Sequence, residues 1–154
     1  MMRILLISLL LLEVFALESW EETSSSDPGE MPPVETSYEN FRMQHINTHM
    51  TARDCDSVIK QRKIYNNGGC KKTNSFILAD ANKVKSICKG EGNYDRTSTL
   101  TSSKARFHIV VCKLKNGGRK PNCHYRGWLL THRVVVVKCV GNLPVHYDHD
   151  FYNF

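Results

Sequence analysis

The stretch ARFHIVVCKLKNGGRKPNCHYRGWLLTHRVVVVKCVGNLPVHYDHDF, residues 105–151, decides the fold class. Within it, residues 105–115, 122–130, 133–140 and 145–151 are rich in β-branched and aromatic side chains, so each reads as a strand. Asn116-Gly117-Gly118 and Gly141-Asn142 punctuate the series as turns, because Gly and Asn tolerate the backbone angles that reverse a chain. Strands joined this closely pair antiparallel.

Upstream the texture is helical. Thr36-Ser37-Tyr38-Glu39 has the form of a capping box, and a helix is expected from there to about Ile46, with Phe41 as its anchor. A second helix is expected over Ala52 to Lys63, where Cys55, Val58, Ile59 and Arg62 recur at helical spacing. Asp80 is placed to cap a third, with Val84, Ile87 and Cys88 facing inward. Helices early and antiparallel strands late make an α+β domain. The chain holds no internal repeat and no Asn-x-Ser/Thr glycosylation acceptor.

Before residue 36 the chain has another character. Residues 1–16 open with Arg3 and a dense apolar run that Glu13 interrupts, too short to span a bilayer. With small residues around Val14-Phe15-Ala16, this is read as a signal peptide cut after Ala16, which makes the protein secreted and extracellular. Residues 17–35 are acidic and rich in Ser and Pro, a composition that cannot offset the entropy of ordering, and are expected to be a disordered leader. Residues 17–39 carry seven acids and no Lys or Arg, whereas residues 40–154 hold 20 Lys plus Arg against seven acids, a net of +13. The expected domain, 36–154, is therefore strongly cationic and suited to polyanions: RNA, heparan-type glycans or anionic bacterial membranes. The leader's carboxylates are a candidate cover for an RNA-binding groove.

The six cysteines (55, 70, 88, 112, 123 and 139) are even in number and belong to a small exported chain, which implies three disulfides among 15 possible pairings. Zinc is the competing reading. No CxxC occurs, and spacings of 15, 18, 24, 11 and 16 residues fit no closed zinc site.

Composition would never single out two of the seven histidines. Local context does. Phe41-Arg42-Met43-Gln44-His45, CKKTNSF (70–76), Pro121-Asn122-Cys123-His124-Tyr125-Arg126 and Pro144-Val145-His146-Tyr147-Asp148 occur in this order across almost the whole domain. Together they resemble the pancreatic ribonuclease superfamily, with its CKxxNTF signature. The pattern is most like angiogenin and the angiogenin-like fish ribonucleases, whose six cysteines lack the pancreatic enzyme's fourth bridge. The resemblance implies the pairs Cys55–Cys112, Cys70–Cys123 and Cys88–Cys139. It also implies a V-shaped, bent antiparallel sheet with three helices packed on it.

The chemistry implied is cleavage of single-stranded RNA on the 3′ side of pyrimidines by transphosphorylation, through a 2′,3′-cyclic phosphate. RNA supplies its own nucleophile, the ribose 2′-OH. His45 is the implied base, His146 the acid, and Lys71 the cation at the phosphorane. An imidazole's ordinary pKa near 6.5 makes both protonation states available close to neutrality. Gln44 is expected at the phosphate, Asn74 among the substrate-binding groups and Asp148 behind the acid imidazole. Ser75, where the family usually has Thr, keeps the hydroxyl that reads a pyrimidine edge. No metal or organic cofactor is needed. A monomer is expected, with a cell-surface receptor and ribonuclease inhibitor as further partners.

Several departures point to modest turnover. Val140 replaces a common Glu after Cys139, Met43 stands where the pancreatic enzyme has Arg, and residues 89–104 lack a bridged loop. His149 stands where angiogenin has a Gln that obstructs the pyrimidine pocket. Lys60-Gln61-Arg62-Lys63 overlies a basic cluster of angiogenin, although a short charge run is more often a solvated helix face. Trp128 and Leu129-Leu130 are expected near a strand end, in a core or turn role. Were they exposed, they would suit the alternative reading, a cationic antibacterial protein acting on membranes without catalysis.

Overall fold

The structure is a computed structural model that describes residues 33–115 and 118–153. The expected signal peptide, the leader as far as residue 32, and Asn116 and Gly117 of the expected turn lie outside the described residues. In chain order the elements are α1 (Val34–His45), a 3-10 turn (Ala52–Asp54), α2 (Cys55–Arg62), β1 (Tyr65–Asn66), β2 (Gly69–Cys70), β3 (Thr73–Ile77) and α3 (Ala81–Ser86). Then follow β4 (Gly92–Tyr94), β5 (Thr101–Ser103), β6 (Phe107–Leu114), β7 (Tyr125–Val140) and β8 (Leu143–Tyr152).

Three helices on an antiparallel sheet agree with the expected class, and the differences have physical causes. Helix α1 opens at Val34, inside the expected leader, with Pro33 before it and no side-chain cap, so Thr36 is already helical. The capping box is used elsewhere: Thr51 and Asp54 bond reciprocally ahead of α2. The expected helix 52–63 is a 3-10 turn followed by α2, ended by Lys63 in the left-handed region (φ 56°). Asp80 does cap α3, accepting from the Lys83 N–H at 2.8 Å. Helices and strands are not segregated, because β1, β2 and β3 come before α3.

The sheet order is β3-β6-β7-β5-β4, with β8 also paired to β7. The two strands expected at 122–130 and 133–140 are one. The interruption is a bulge at His132, whose φ is 56°, opposite a register shift between Phe107 and Ile109. This long β7 serves both halves of the curled sheet: residues 125–133 pair with β6, and residues 133–140 pair with β8. The hairpin to β8 turns on Gly141 (φ 57°) and Asn142 (φ 61°), as expected, with both central residues in the left-handed region that a two-residue loop favours.

Strands β3 and β6 are buried on both faces. Alternate residues Ile77, Ile109 and Val111 join Phe41, Val84, Phe107, Val135 and Val137 in one cluster. Phe76, Val110 and Cys112 face the other way and join Met50, Ile59, Ile64 and Tyr125. The disulfides are Cys55–Cys112, Cys70–Cys123 and Cys88–Cys139, the pairing that the resemblance implied. They close loops of 57, 53 and 51 residues. On chain-entropy grounds each such link contributes about 4 kcal/mol.

Candidate active site

All seven expected site residues (Gln44, His45, Lys71, Asn74, Ser75, His146 and Asp148) line one cleft of about 410 Å³, beside Thr73, Tyr147, His149 and Asp150. Two elements form one wall. The end of α1 is fastened to β3 by successive bonds: the Asn74 side-chain amide donates to the Gln44 carbonyl at 2.8 Å, and the Asn47 N–H donates to the Ile77 carbonyl at 3.1 Å. Between them His45 Nδ1 meets the Ser75 carbonyl at 2.8 Å. A carbonyl only accepts, so Nδ1 carries the proton, and in the neutral ring Nε2 keeps a lone pair.

Burial lowers the His45 pKa to about 4; the Ser75 carbonyl opposes this, while Lys71 and His146 push it further down. The ring is thus neutral at physiological pH. Beside it the Lys71 ammonium donates to Asn74 Oδ1 at 2.8 Å and to Gln44 Oε1 at 3.2 Å. Burial draws its pKa below the ordinary lysine value. Asn74 itself is 1% exposed.

Arg62, read from sequence as part of a basic run, has another role. Its Nη1 donates to the carbonyls of Met43 at 3.0 Å and Ile46 at 2.7 Å, the end of α1 that carries His45. A cation is favourable where a helix leaves carbonyls unpaired. Lys60 bonds the Asn122 side chain at 3.1 Å, so the run is not a uniform solvated face.

Strand β8 forms the opposite wall, and two bulges bracket its working residues. Lys138 pairs with His146 but Cys139 with Pro144, leaving Val145 over; Val137 pairs with Tyr147 but Val136 with His149, leaving Asp148 over. An extra residue shifts the alternation of faces. Tyr147 and Asp150 consequently share the inner side, where the Tyr147 hydroxyl donates to Asp150 Oδ1 at 2.6 Å. Arg133 Nε donates to Asp150 Oδ2 at 2.8 Å. The Tyr147 ring stacks on His45 with centroids 5.1 Å apart and planes 22° apart. Burial, followed by the Asp150 carboxylate, holds the Tyr147 phenol far above its ordinary pKa, so it stays protonated.

Asp148 and His149 share the outer side. His149 Nδ1 lies 2.6 Å from Asp148 Oδ2, while His146 Nε2 lies 3.8 Å from Asp148 Oδ1. The His146 side chain is 61% exposed. His149 lines the cleft but is tied to Asp148, whereas Tyr147 stacks on His45 and bonds Asp150. Tyr147, Asp150, Arg133 and Arg62 were all missed in the sequence. The first two lay in plain view, but strict alternation puts residues 147 and 150 on opposite faces.

Trp128 and Leu129 are the fourth and fifth residues of β7, and both are exposed. Lys113 and Arg126 sit 5.5 and 5.3 Å from the centre of the Trp128 ring. Leu130 alone packs on the core.

The "Pancreatic ribonuclease" family model matches residues 36–148. The zebrafish (Danio rerio) protein "Ribonuclease-like 3" is 36% identical over 129 residues, covering 81% of this chain and 86% of its own. Pig (Sus scrofa) angiogenin is 35% identical over 127 residues, covering 80% and 84%. The X-ray structure of zebrafish RNase5 superposes with a TM-score of 0.70 at 37% identity, covering 77% of this chain and 98% of that one. With the three disulfides, the curled sheet and the cleft in place, the chain belongs to the pancreatic ribonuclease family.

Proposed function

We propose that the protein is a ribonuclease that cleaves single-stranded RNA on the 3′ side of pyrimidines by transphosphorylation, leaving a 2′,3′-cyclic phosphate. The observation that carries this reading is the state of His45: neutral, with Nδ1 committed to Ser75 and Nε2 free to take a proton. His45 removes the 2′-OH proton, the 2′ oxygen attacks the adjacent phosphorus, and the P–O5′ bond breaks. His146 protonates the departing 5′ oxygen. Lys71, already held by Gln44 and Asn74, offers its charge to the phosphorane oxygens, where a preorganised cation is most effective. Asp148 stands behind His146, 3.8 Å from its Nε2, and the Ser75 hydroxyl meets the pyrimidine edge. The three disulfides suit an oxidising, extracellular setting, and residues 1–16 are the proposed export signal.

The test is cleavage of tRNA and of a pyrimidine–purine dinucleotide by purified protein beside His45→Ala and His146→Ala. Each variant is expected to lose about 10²–10⁴-fold in kcat/KM, the usual worth of a general acid or base. Equal cleavage by all three proteins overturns the assignment. DNA, without a 2′-OH, is expected to bind and stay whole.

A second reading is supported by the exposed Trp128, whose ring lies beside Lys113 and Arg126: a cationic protein acting on anionic bacterial membranes. Killing retained by His146→Ala but lost in Trp128→Ser supports it. Loss of killing in His146→Ala assigns the effect to RNA cleavage.

A further inference from the structure

On β8 one carboxylate faces two imidazoles. The bulge leaves Asp148 opposite no single partner on β7 and puts Asp148 and His149 on the same side of β8. Asp148 Oδ2 is bonded to His149 Nδ1 at 2.6 Å, whereas Oδ1 stops 3.8 Å from His146 Nε2, beyond hydrogen-bond reach. Both distances belong to one rigid, planar group on a short side chain. Rotating the carboxylate toward His146 draws Oδ2 away from His149, so the two contacts compete.

We propose that His149 is a positioning residue that restrains turnover by holding the Asp148 carboxylate away from the imidazole that protonates the leaving group. This rests on the proposed role of His146. It differs from blocking the base pocket, since the restraint acts on the acid and not on substrate binding. Without the bond to His149, Asp148 is free to close the gap and fix His146 with Nε2 protonated and Nδ1 turned to the cleft. His149 is itself half-exposed, so its removal leaves the core intact.

The experiment compares the wild type, His149→Ala, Asp148→Asn and the double variant on a pyrimidine–purine dinucleotide, with ¹⁵N NMR of the His146 ring in each. His149→Ala is expected to raise kcat about three- to tenfold at unchanged KM, in line with a gain confined to the transition state. The Nε2–H tautomer of His146 is expected to rise with it. In the Asp148→Asn background the His149 change is expected to have no effect, because there is no carboxylate to release. A fall in KM at unchanged kcat would show that His149 obstructs the base pocket and would overturn the proposal. So would a lower kcat, or the same gain with and without Asp148. The NMR readout keeps this question apart from the proposed function. A tautomer shift without RNA cleavage in any protein defeats the ribonuclease mechanism, whereas cleavage without a shift defeats the role of His149.

Discussion

The two walls of the cleft are built to different tolerances. On the α1–β3 side every working group is bonded: His45 to the Ser75 carbonyl, Lys71 to two side-chain oxygens, and Asn74 to the helix end, all between 2.8 and 3.2 Å. On the β8 side His146 is largely exposed, on a strand with two extra residues, and its carboxylate is bonded to another ring. In the proposed mechanism the base is held in one tautomer before substrate arrives, whereas the acid is not held, and that is where the proposed restraint by His149 acts. The contrast shows where this site is preorganised and where it is left slack.

The sharpest way to break the contrast is to loosen the tight wall. Asn74→Ala removes both the acceptor for Lys71 and the donor to the Gln44 carbonyl inside a buried setting. A loss of about 2 kcal/mol of stability is expected, read by denaturant unfolding, with kcat/KM down about 30-fold. The pH profile probes the same wall without mutation. As the proposed base His45 must be neutral, and a pKa near 4 keeps it neutral down to lower pH than an ordinary imidazole. On dinucleotide, kcat/KM at pH 5.5 should keep most of its neutral-pH value, whereas a base at the ordinary 6.5 would retain only about a tenth.

Smaller effects follow further from the reacting atoms. Arg62→Met keeps the aliphatic stem and deletes the donors to the end of α1. About 1 kcal/mol of stability and about fivefold in kcat should be lost, since His45 sits on that last turn. Tyr147→Phe tests the slack wall. It removes the hydroxyl bonded to Asp150 and leaves the ring on His45, so KM should fall about two- to threefold with kcat unchanged. A kcat change of tenfold or more would mean that the phenol acts on His45 and does not merely crowd the base pocket.

Much of the tight wall was legible in the sequence, because its residues lie in two short runs, 41–45 and 70–76, that identify themselves by context. Strand β3 was not. Residues 74–77 are buried on both faces, so they lack the alternation that marks a strand. The slack wall was legible in identity but not in geometry. His146, Asp148 and His149 stand in the chain for anyone to read, but which faces they share depends on where the sheet accommodates an extra residue. The start of α1 was misplaced for a similar reason. A plausible capping box at Thr36 lost to tertiary packing of Tyr38 and Phe41, which the helix buries wherever it begins.

Strand β3 has one more consequence, for the order in which the protein comes to life. Its neighbours Phe76 and Ile77 belong to opposite apolar clusters, and the site residues Asn74 and Ser75 lie just before them on the same short strand. Neither cluster alone can fix that strand. A chain caught partway through maturation, with one half consolidated and the other open, therefore has no seated Lys71 and no carbonyl for His45.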